Sequence, residues 1–446
     1  MVKRERLGVT EWSRRQFIRQ LAGTAGGAAI LGLPDGAHVV AQRGEDNDND
    51  DQGERKPSPN TFKHVVLVMM ENRSFDHLLG WLPEADGKQV GLSYLDRTGK
   101  RRHTYQLAPD YQGCGHPDPG HSQADGLAEY NGGACDGWLL AGNNDEYSIG
   151  YYTEKDLGFF GTAAPAWTTC DRYFASLMSE TYPNRIHQHA AQTDRATNTI
   201  DISTLPTIWD RLASQGIEGR YYFGDVPFLA LWGLKYLPIS RLLPSFIKDC
   251  SAGDLPAVSF VDPHFLGEEE GLSDDDHPHG DIRAGEQFLA QIYTAVTTSP
   301  AWPDTILIVS FDEWGGFFDH VPPPLAPQPP GDQAVGLGAR RGFRVPAVLV
   351  SPFAKRGAVS SKIFDHASVL KLIESRWNLE PLTVRDAQAT NLGDALDFSK
   401  ARLQAPRIVP NAIVPIGCSA SGAGASTRSD TWSGLLEAAR LQGWPV

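Results

Sequence analysis

Apolar positions along this chain gather into short runs without alternation, each ending abruptly at polar or acidic residues. His64-Val65-Val66-Leu67-Val68-Met69-Met70 runs into Glu71-Asn72, and Ala257-Val258-Ser259-Phe260-Val261 runs into Asp262-Pro263-His264. Thr305-Ile306-Leu307-Ile308-Val309-Ser310-Phe311 stops at Asp312-Glu313, and Val345-Pro346-Ala347-Val348-Leu349-Val350 stops at Ser351-Pro352. An apolar, β-branched run with no polar alternation is the pattern of a strand covered on both faces, as in parallel sheets. Between the runs, residues 205–215, 282–297 and 368–377 place apolar side chains at helical spacing. This alternation predicts an α/β fold: a doubly wound, mainly parallel sheet flanked by helices. In such sheets ligands bind beyond the carboxyl ends of the strands, where these acids stand.

Residues 228–247 (FLALWGLKYLPISRLLPSFI) fit either a lipid-touching lid or a core-packed helix broken by Pro238 and Pro244. The first 41 residues read as an export signal. Arg14-Arg15 precedes a Gly/Ala-rich apolar run over 21–33, and Val39-Val40-Ala41 offers a small-residue cleavage site. A twin-arginine leader implies the export machinery that recognises it and a periplasmic or extracellular destination. Residues 42–60 read as an acidic linker, 61–400 as the catalytic domain and 401–446 as a C-terminal extension packed on the core or trailing from it.

Composition narrows the partners. The formal net charge is −14, and discarding the leader, with its six basic and three acidic residues, takes it to −17. That balance excludes nucleic acid as a partner, which needs clustered Lys and Arg. With no later run long enough to span a bilayer, membrane contact is at most peripheral. The five cysteines show no C-x-x-C spacing, so neither a thiolate zinc site nor a thioredoxin-type motif is indicated; Cys114 and Cys135 bracket a His-containing loop and form the expected disulfide.

Four oxygen donors at two strand ends, Glu71, Asn72, Asp312 and Glu313, are the candidate metal ligands. Carboxylates crowded without a counter-ion repel, and an all-oxygen set suits one hard divalent cation (Ca²⁺, Mg²⁺ or Mn²⁺) better than zinc. Taken alone, a strand-end acid is more often a helix cap or an ion-pair partner; two adjacent pairs are harder to explain that way. Thr181 precedes a helix-like run whose first turn holds Pro183. It is either a plain cap or, at an anion-attracting helix N-terminus, a nucleophile. His121, His277 and His320 fall in polar Gly/Pro/Asp loops, as do His116, His264 and His279, where surface solvation competes with a role at a phosphate.

ENRSFDHLLG (71–80), DPGHSQADGLAEYNGGACDGW (118–138), TYPNR (181–185), DDHPHGDIRAGEQF (275–288) and SFDEWGGFFDHVPPP (310–324) occur in order. Together they resemble the bacterial phospholipase C/acid phosphatase phosphoesterase family over residues 61–380. The resemblance implies an alkaline-phosphatase-like fold and phosphoric ester hydrolysis through a covalent Ser/Thr intermediate. It also implies that Glu71, Asn72, Asp312 and Glu313 ligate the metal, that Thr181 is the nucleophile, and that His121, His277 and His320 surround the phosphate, His320 being the first choice to protonate the leaving group. The expected substrate is a phosphate ester, foremost a phospholipid. The C-terminal extension is shorter than the long β domains such phospholipases often carry, which keeps acid phosphatase activity as the alternative. A secreted binding protein that has lost turnover is the rival from another class.

Overall fold

The computed structural model describes residues 61–446 apart from 269, 411–412, 414–415 and 419–430; the expected leader and the whole acidic linker lie outside the described residues. Its centre is an eight-stranded sheet. In chain order the strands are β1 (His64–Met70), β2 (Thr168–Cys170), β3 (Gly219–Phe223), β4 (Ser240–Leu242), β5 (Val258–Val261), β6 (Thr305–Phe311), β7 (Ala347–Val350) and β8 (Val359–Ser360). They lie side by side as β8-β2-β7-β6-β1-β5-β3-β4. The four strands that sequence predicts are all present, and β1, β5, β6 and β7 are buried on both faces except at His64.

Helices α1 (Phe75–Leu79), α2 (Gln123–Tyr130), α3 (Phe160–Ala166), α4 (Thr181–Ala190), α5 (Ile208–Ser214), α6 (Leu243–Ala252), α7 (Ile282–Thr297), α8 (His366–Trp377) and α9 (Thr431–Gln442) flank the sheet. Helix α4 packs on α8, and α6 on α7. From the C-terminal extension, Ile408, Trp432, Leu435, Leu436, Ala439 and Trp444 join the same apolar core as β1 and β6. No described helix is long and apolar enough to cross a membrane.

The sheet is mixed at one point. Strand β7 is antiparallel to both β6 and β2, while the other pairings are parallel. A run buried on both faces reads the same whichever way the chain passes through it, so direction was not in the pattern. Strands β2, β3, β4 and β8 escaped the sequence pattern because they are short and partly polar; Arg220 and Arg241 sit inside two of them. Segment 228–247 packs largely into the core, as the second reading expects, though not as one helix. It forms a buried 3₁₀ turn over Phe228–Trp232, then β4, then the start of α6 with Pro244 in the first turn.

The expected Cys114–Cys135 disulfide is corrected. Cys114 bonds to Cys418, with Cα atoms 5.4 Å apart, and Cys135 is a buried free thiol beside Trp138 and Phe343. Proximity in sequence misled here because the loop around Cys114 faces the C-terminal extension: Gln112 Nε2 donates to Ile416 O at 2.9 Å and Cys418 N to Glu270 O at 2.7 Å. Cys170 and Cys250 are also free and buried. Thiol titration of the oxidised, denatured chain should therefore count three thiols, rising to five after reduction, and peptide mapping should link the Cys114 and Cys418 peptides. A Cys114–Cys135 peptide would contradict this fold.

Candidate active site

Register brings the strand-end acids together. In the parallel ladder Met70 of β1 is level with Phe311 of β6, and Val68 is level with Val261 of β5. The next residues, Glu71, Asp312 and Asp262, therefore leave three adjacent strands at one edge of the sheet. Arg185 of α4 crosses that edge. Its Nε lies 3.2 Å from Glu71 Oε1 and 3.3 Å from Asp312 Oδ2, its Nη1 3.0 Å from Asp262 Oδ1. Its Nη2 donates to the carbonyls of Met69 (3.1 Å) and Met70 (3.3 Å). The planar fork of an arginine suits this many acceptors in one plane, which a lysine could not match.

Thr181 is the first residue of α4, four positions before Arg185, so both side chains occupy the same helix face. The Thr181 hydroxyl donates to Asn72 Oδ1 at 3.3 Å. Asn184 fixes the turn before it, accepting from Leu177 N and donating to the carbonyls of Leu177, Ser179 and Glu180. Asn72 has φ 58°, a left-handed backbone that asparagine tolerates better than most residues. That turn lets its N–H donate to Asp312 Oδ1 at 3.1 Å. Gly315 completes the fit: a Cβ there would meet Asn72 O at 2.1 Å.

His121 and His277 come together, ring centroids 6.4 Å apart and edge to face. His121 Nδ1 is anchored on Pro119 O at 2.9 Å, and His121 is close enough to Asp312 to favour its charged form. His277 is aimed by Asp275, whose Oδ1 accepts from its N–H at 2.9 Å, and by Arg73, which donates to the carbonyls of Asp276 and His277.

The phosphoesterase family profile matches residues 62–380. The chain belongs to the phosphoesterase family. Among curated relatives, a non-specific phospholipase C3 of Arabidopsis thaliana is 29% identical over 79% of this chain and 77% of its own. Phospholipase C A of Mycobacterium tuberculosis is 30% identical over 87% and 85%. Among solved structures, a protein in the alkaline phosphatase superfamily from Vibrio parahaemolyticus is 12% identical, covering 75% of this chain and 72% of its own with a TM-score of 0.39. This phosphoesterase is a phosphoric ester hydrolase.

His320, the sequence's first choice for the leaving group, is placed elsewhere. Its Nδ1 meets Asp76 Oδ2 at 2.5 Å and its Nε2 meets Asp86 Oδ1 at 3.2 Å. Burial works against its charged form, but Asp76 outweighs that and raises its pKa. The same network holds Arg344, paired with Asp76 (3.0 Å) and Asp319 (2.9 Å). Among the described residues no hydrogen bond or ion pair joins His320 to Thr181, Asn72 or Asp312. A histidine whose two ring nitrogens both face carboxylates is held as an ion-pair partner, so it is corrected from proton donor to a brace of the 313–320 loop. His264 pairs with Asp274 at 3.0 Å and is half exposed, and His279 meets His116 O at 3.1 Å.

Sequence reasoning also missed residues. Arg185, Glu268 and Asp275 were given no role, because an arginine inside a helix and acids in a loop read as solvated, and Asp262 was read only as a strand-end acid. Yet ligand atoms of the buried Glu71, Glu268 and Asp275 lie within 4.8 Å of one another. Glu129 is another: buried, it accepts from Trp314 Nε1 at 2.7 Å and fixes the residue after Glu313.

The electrostatics test whether these residues fit a cation. Asp312 Oδ2, Glu313 Oε1 and Asp275 Oδ2 are buried without a hydrogen-bond partner, and the Glu71 oxygens are buried with no well-formed hydrogen bond, although Trp432 lies close enough to favour the charged form. Burial pushes Glu71 and Glu313 well above the carboxylate range, with Asp312 adding repulsion to both. Burial likewise lifts Asp275 to about 8. Against these acids Arg185 is one positive charge. An excess of buried carboxylate oxygen with vacant acceptors is the donor set a hard divalent ion takes, so the residues fit.

The same shifts predict a pH dependence. With cation removed, folded Asp275 and Glu286 hold protons until about pH 8, whereas the unfolded chain releases them near pH 4. The folded state binds more protons between those values, so stability is lost as pH rises through that range, at about 1.4 kcal/mol per pH unit for each proton held. Below pH ~6.5 the buried His189 and His366, both lowered to about 3, oppose this trend, since the unfolded chain then gains their protons. In chelator the thermal midpoint should therefore fall from pH 6.5 to pH 8; a midpoint that rises across that interval would refute it.

Proposed function

We propose that this phosphoesterase is an exported, divalent-cation-dependent phospholipase C-type hydrolase whose covalent intermediate is a phosphothreonine at Thr181. The observation that carries this is the position of the Thr181 hydroxyl: first residue of α4, 3.3 Å from Asn72 Oδ1, on the helix face that carries Arg185 to Glu71 and Asp312. The phospholipase names of its relatives favour a lipid phosphodiester as substrate.

Glu71, Asn72, Asp312 and Glu313 would hold the cation, with Glu268 and Asp275 beside Glu71. Once bound, such an ion supplies Lewis acidity that lowers the threonine hydroxyl's pKa and offsets phosphate charge. Thr181 Oγ1, its proton first lost to solvent, forms the new P–O bond as the P–O bond to the departing alcohol breaks, and this alkoxide is the state that the second half restores. The N-terminus of α4 adds free backbone N–H groups for a phosphate oxygen. His121, its Nδ1 tied to Pro119 O, would give a proton from Nε2 to the leaving oxygen; His277 is its close companion. In the second half, water attacks the phosphothreonine and the histidine takes its proton back, releasing the phosphomonoester and restoring Thr181.

Thr181→Ala should fold, retain Mn²⁺ and lose at least ~10³-fold in kcat, while Thr181→Ser keeps measurable turnover. Wild-type rates in Thr181→Ala would end the covalent mechanism. Release of choline phosphate from phosphatidylcholine well ahead of p-nitrophenyl phosphate hydrolysis is expected; the reverse order assigns an acid phosphatase, and no hydrolysis of either assigns a binding protein. For export, the Arg14-Arg15 leader and the Cys114–Cys418 disulfide, suited to an oxidising compartment, point the same way. Arg14→Lys/Arg15→Lys should leave the chain in the cytoplasm; undiminished export of that variant would refute the twin-arginine route.

A further inference from the structure

The C-terminal segment is fastened to the catalytic centre at two points. The first is the Cys114–Cys418 bond, on the loop that leads to His121. The second is Trp432 in the first turn of α9. Its buried indole stacks on Phe265 with centroids 3.8 Å apart and planes 4° from parallel. The Arg185 guanidinium lies 4.7 Å over Phe265 and 5.7 Å over Trp432. Tyr182, next to Thr181, meets the Trp432 ring edge-on at 5.1 Å, and its hydroxyl donates to Thr431 O at 3.0 Å. Nη1 and Nη2 of Arg185 bond Asp262 and the Met69 and Met70 carbonyls, and Nε lies within ion-pair range of Glu71 and Asp312. The stacked aromatic pair beside the guanidinium limits where the fork can sit.

We propose that Trp432 is a positioning residue for hydrolysis: with Phe265 it holds the Arg185 plane that spaces Glu71, Asp312 and Asp262, and the Cys114–Cys418 bond keeps it docked. Without the stack, Arg185 can leave this position, and Glu71, Asp312 and Asp262 lose the fixed spacing it imposes. The assignment rests on the reading that Glu71 and Asp312 hold the cation. It differs from ordinary core packing, which a second buried indole of the same segment can report. Trp444 donates to Gly233 O at 3.2 Å and packs on Phe223 at 6.3 Å, with no contact to Arg185 among those described.

The test compares Trp432→Ala, Trp432→Phe and Trp444→Ala in the full mature chain, at a temperature where each is folded, by Mn²⁺ titration and by kcat. Both alanine variants should lower the thermal midpoint. Only Trp432→Ala should weaken Mn²⁺ binding and lower kcat, each by about tenfold or more, with Trp432→Phe restoring most of both; tenfold corresponds to about 1.4 kcal/mol. Equal Mn²⁺ affinity and kcat in Trp432→Ala and Trp444→Ala would reduce Trp432 to packing. If Trp432→Ala does not fold, Trp432→Leu, which fills space but cannot stack, takes its place. Reducing Cys114–Cys418 should shift both readouts in the same direction as Trp432→Ala, and unchanged values would remove the tether from the proposal. A Thr181→Ala variant that keeps turnover would sink the covalent mechanism but leave the Mn²⁺ comparison standing. A wild-type chain that binds no Mn²⁺ sinks the cation reading and this proposal with it.

Discussion

One buried guanidinium organises this molecule's catalytic edge. Three parallel strands deliver Glu71, Asp262 and Asp312 to neighbouring positions, and Arg185 is the cation that meets all three. Removing a partner from such a buried group costs about 3–5 kcal/mol, because the remaining charges lose their compensation without regaining water. The same residue is one helical turn from Thr181, so the interaction that permits the acids to converge also sets where the hydroxyl stands. Sheet register, helix placement and the position of the Thr181 hydroxyl are thus not independent features; each is tied to where that fork can bind.

The spacing of the first motif takes on meaning from this geometry. Along 71–77 successive side chains serve different neighbours. Glu71 and Asn72 face the candidate cation site, and Arg73 grips the carbonyls of Asp276 and His277. Ser74 donates to Phe318 O at 2.6 Å, and Asp76 pairs with Arg344 and His320. Motif residues far from the chemistry are therefore not spare. The Asp76–Arg344–Asp319 network fastens the 313–320 loop to α1, and through it Glu313 to Asn72.

What was legible in the sequence follows from how local each signal is. The strands ending in acids were legible because burial on both faces writes an uninterrupted apolar run, and the family motifs then placed Glu71, Asn72, Thr181, Asp312 and Glu313. The direction of β7 was not legible, since its pattern has no polarity. Cys418 as the partner of Cys114 could not be read either, because the separation of 304 residues is closed only by the fold. His320 misled for a related reason: its nearness to Glu313 in sequence says nothing about Asp76 and Asp86, which capture it. Arg185 was hidden most thoroughly, as nothing in TYPNR distinguishes an arginine facing water from one facing three carboxyl groups.

The acidic balance of the chain also gains a physical sense at this edge. Phosphate is an anion, and a site crowded with Glu71, Asp262, Glu268, Asp275, Asp312 and Glu313 around Arg185 would repel it. Two devices can discharge that crowd: protons, which the raised carboxyl pKa values favour, or a divalent ion. They compete for the same oxygens, so cation binding must expel protons and must tighten as pH rises through the raised pKa values. The ion does more than a proton at each of these oxygens, because it offers phosphate a Lewis-acidic centre, whereas a protonated carboxyl is merely neutral. An acidic protein acting on an anionic ester is consistent on the proposed terms: with a divalent ion bound, these acids would serve as its ligands, and the substrate would meet the cation rather than them.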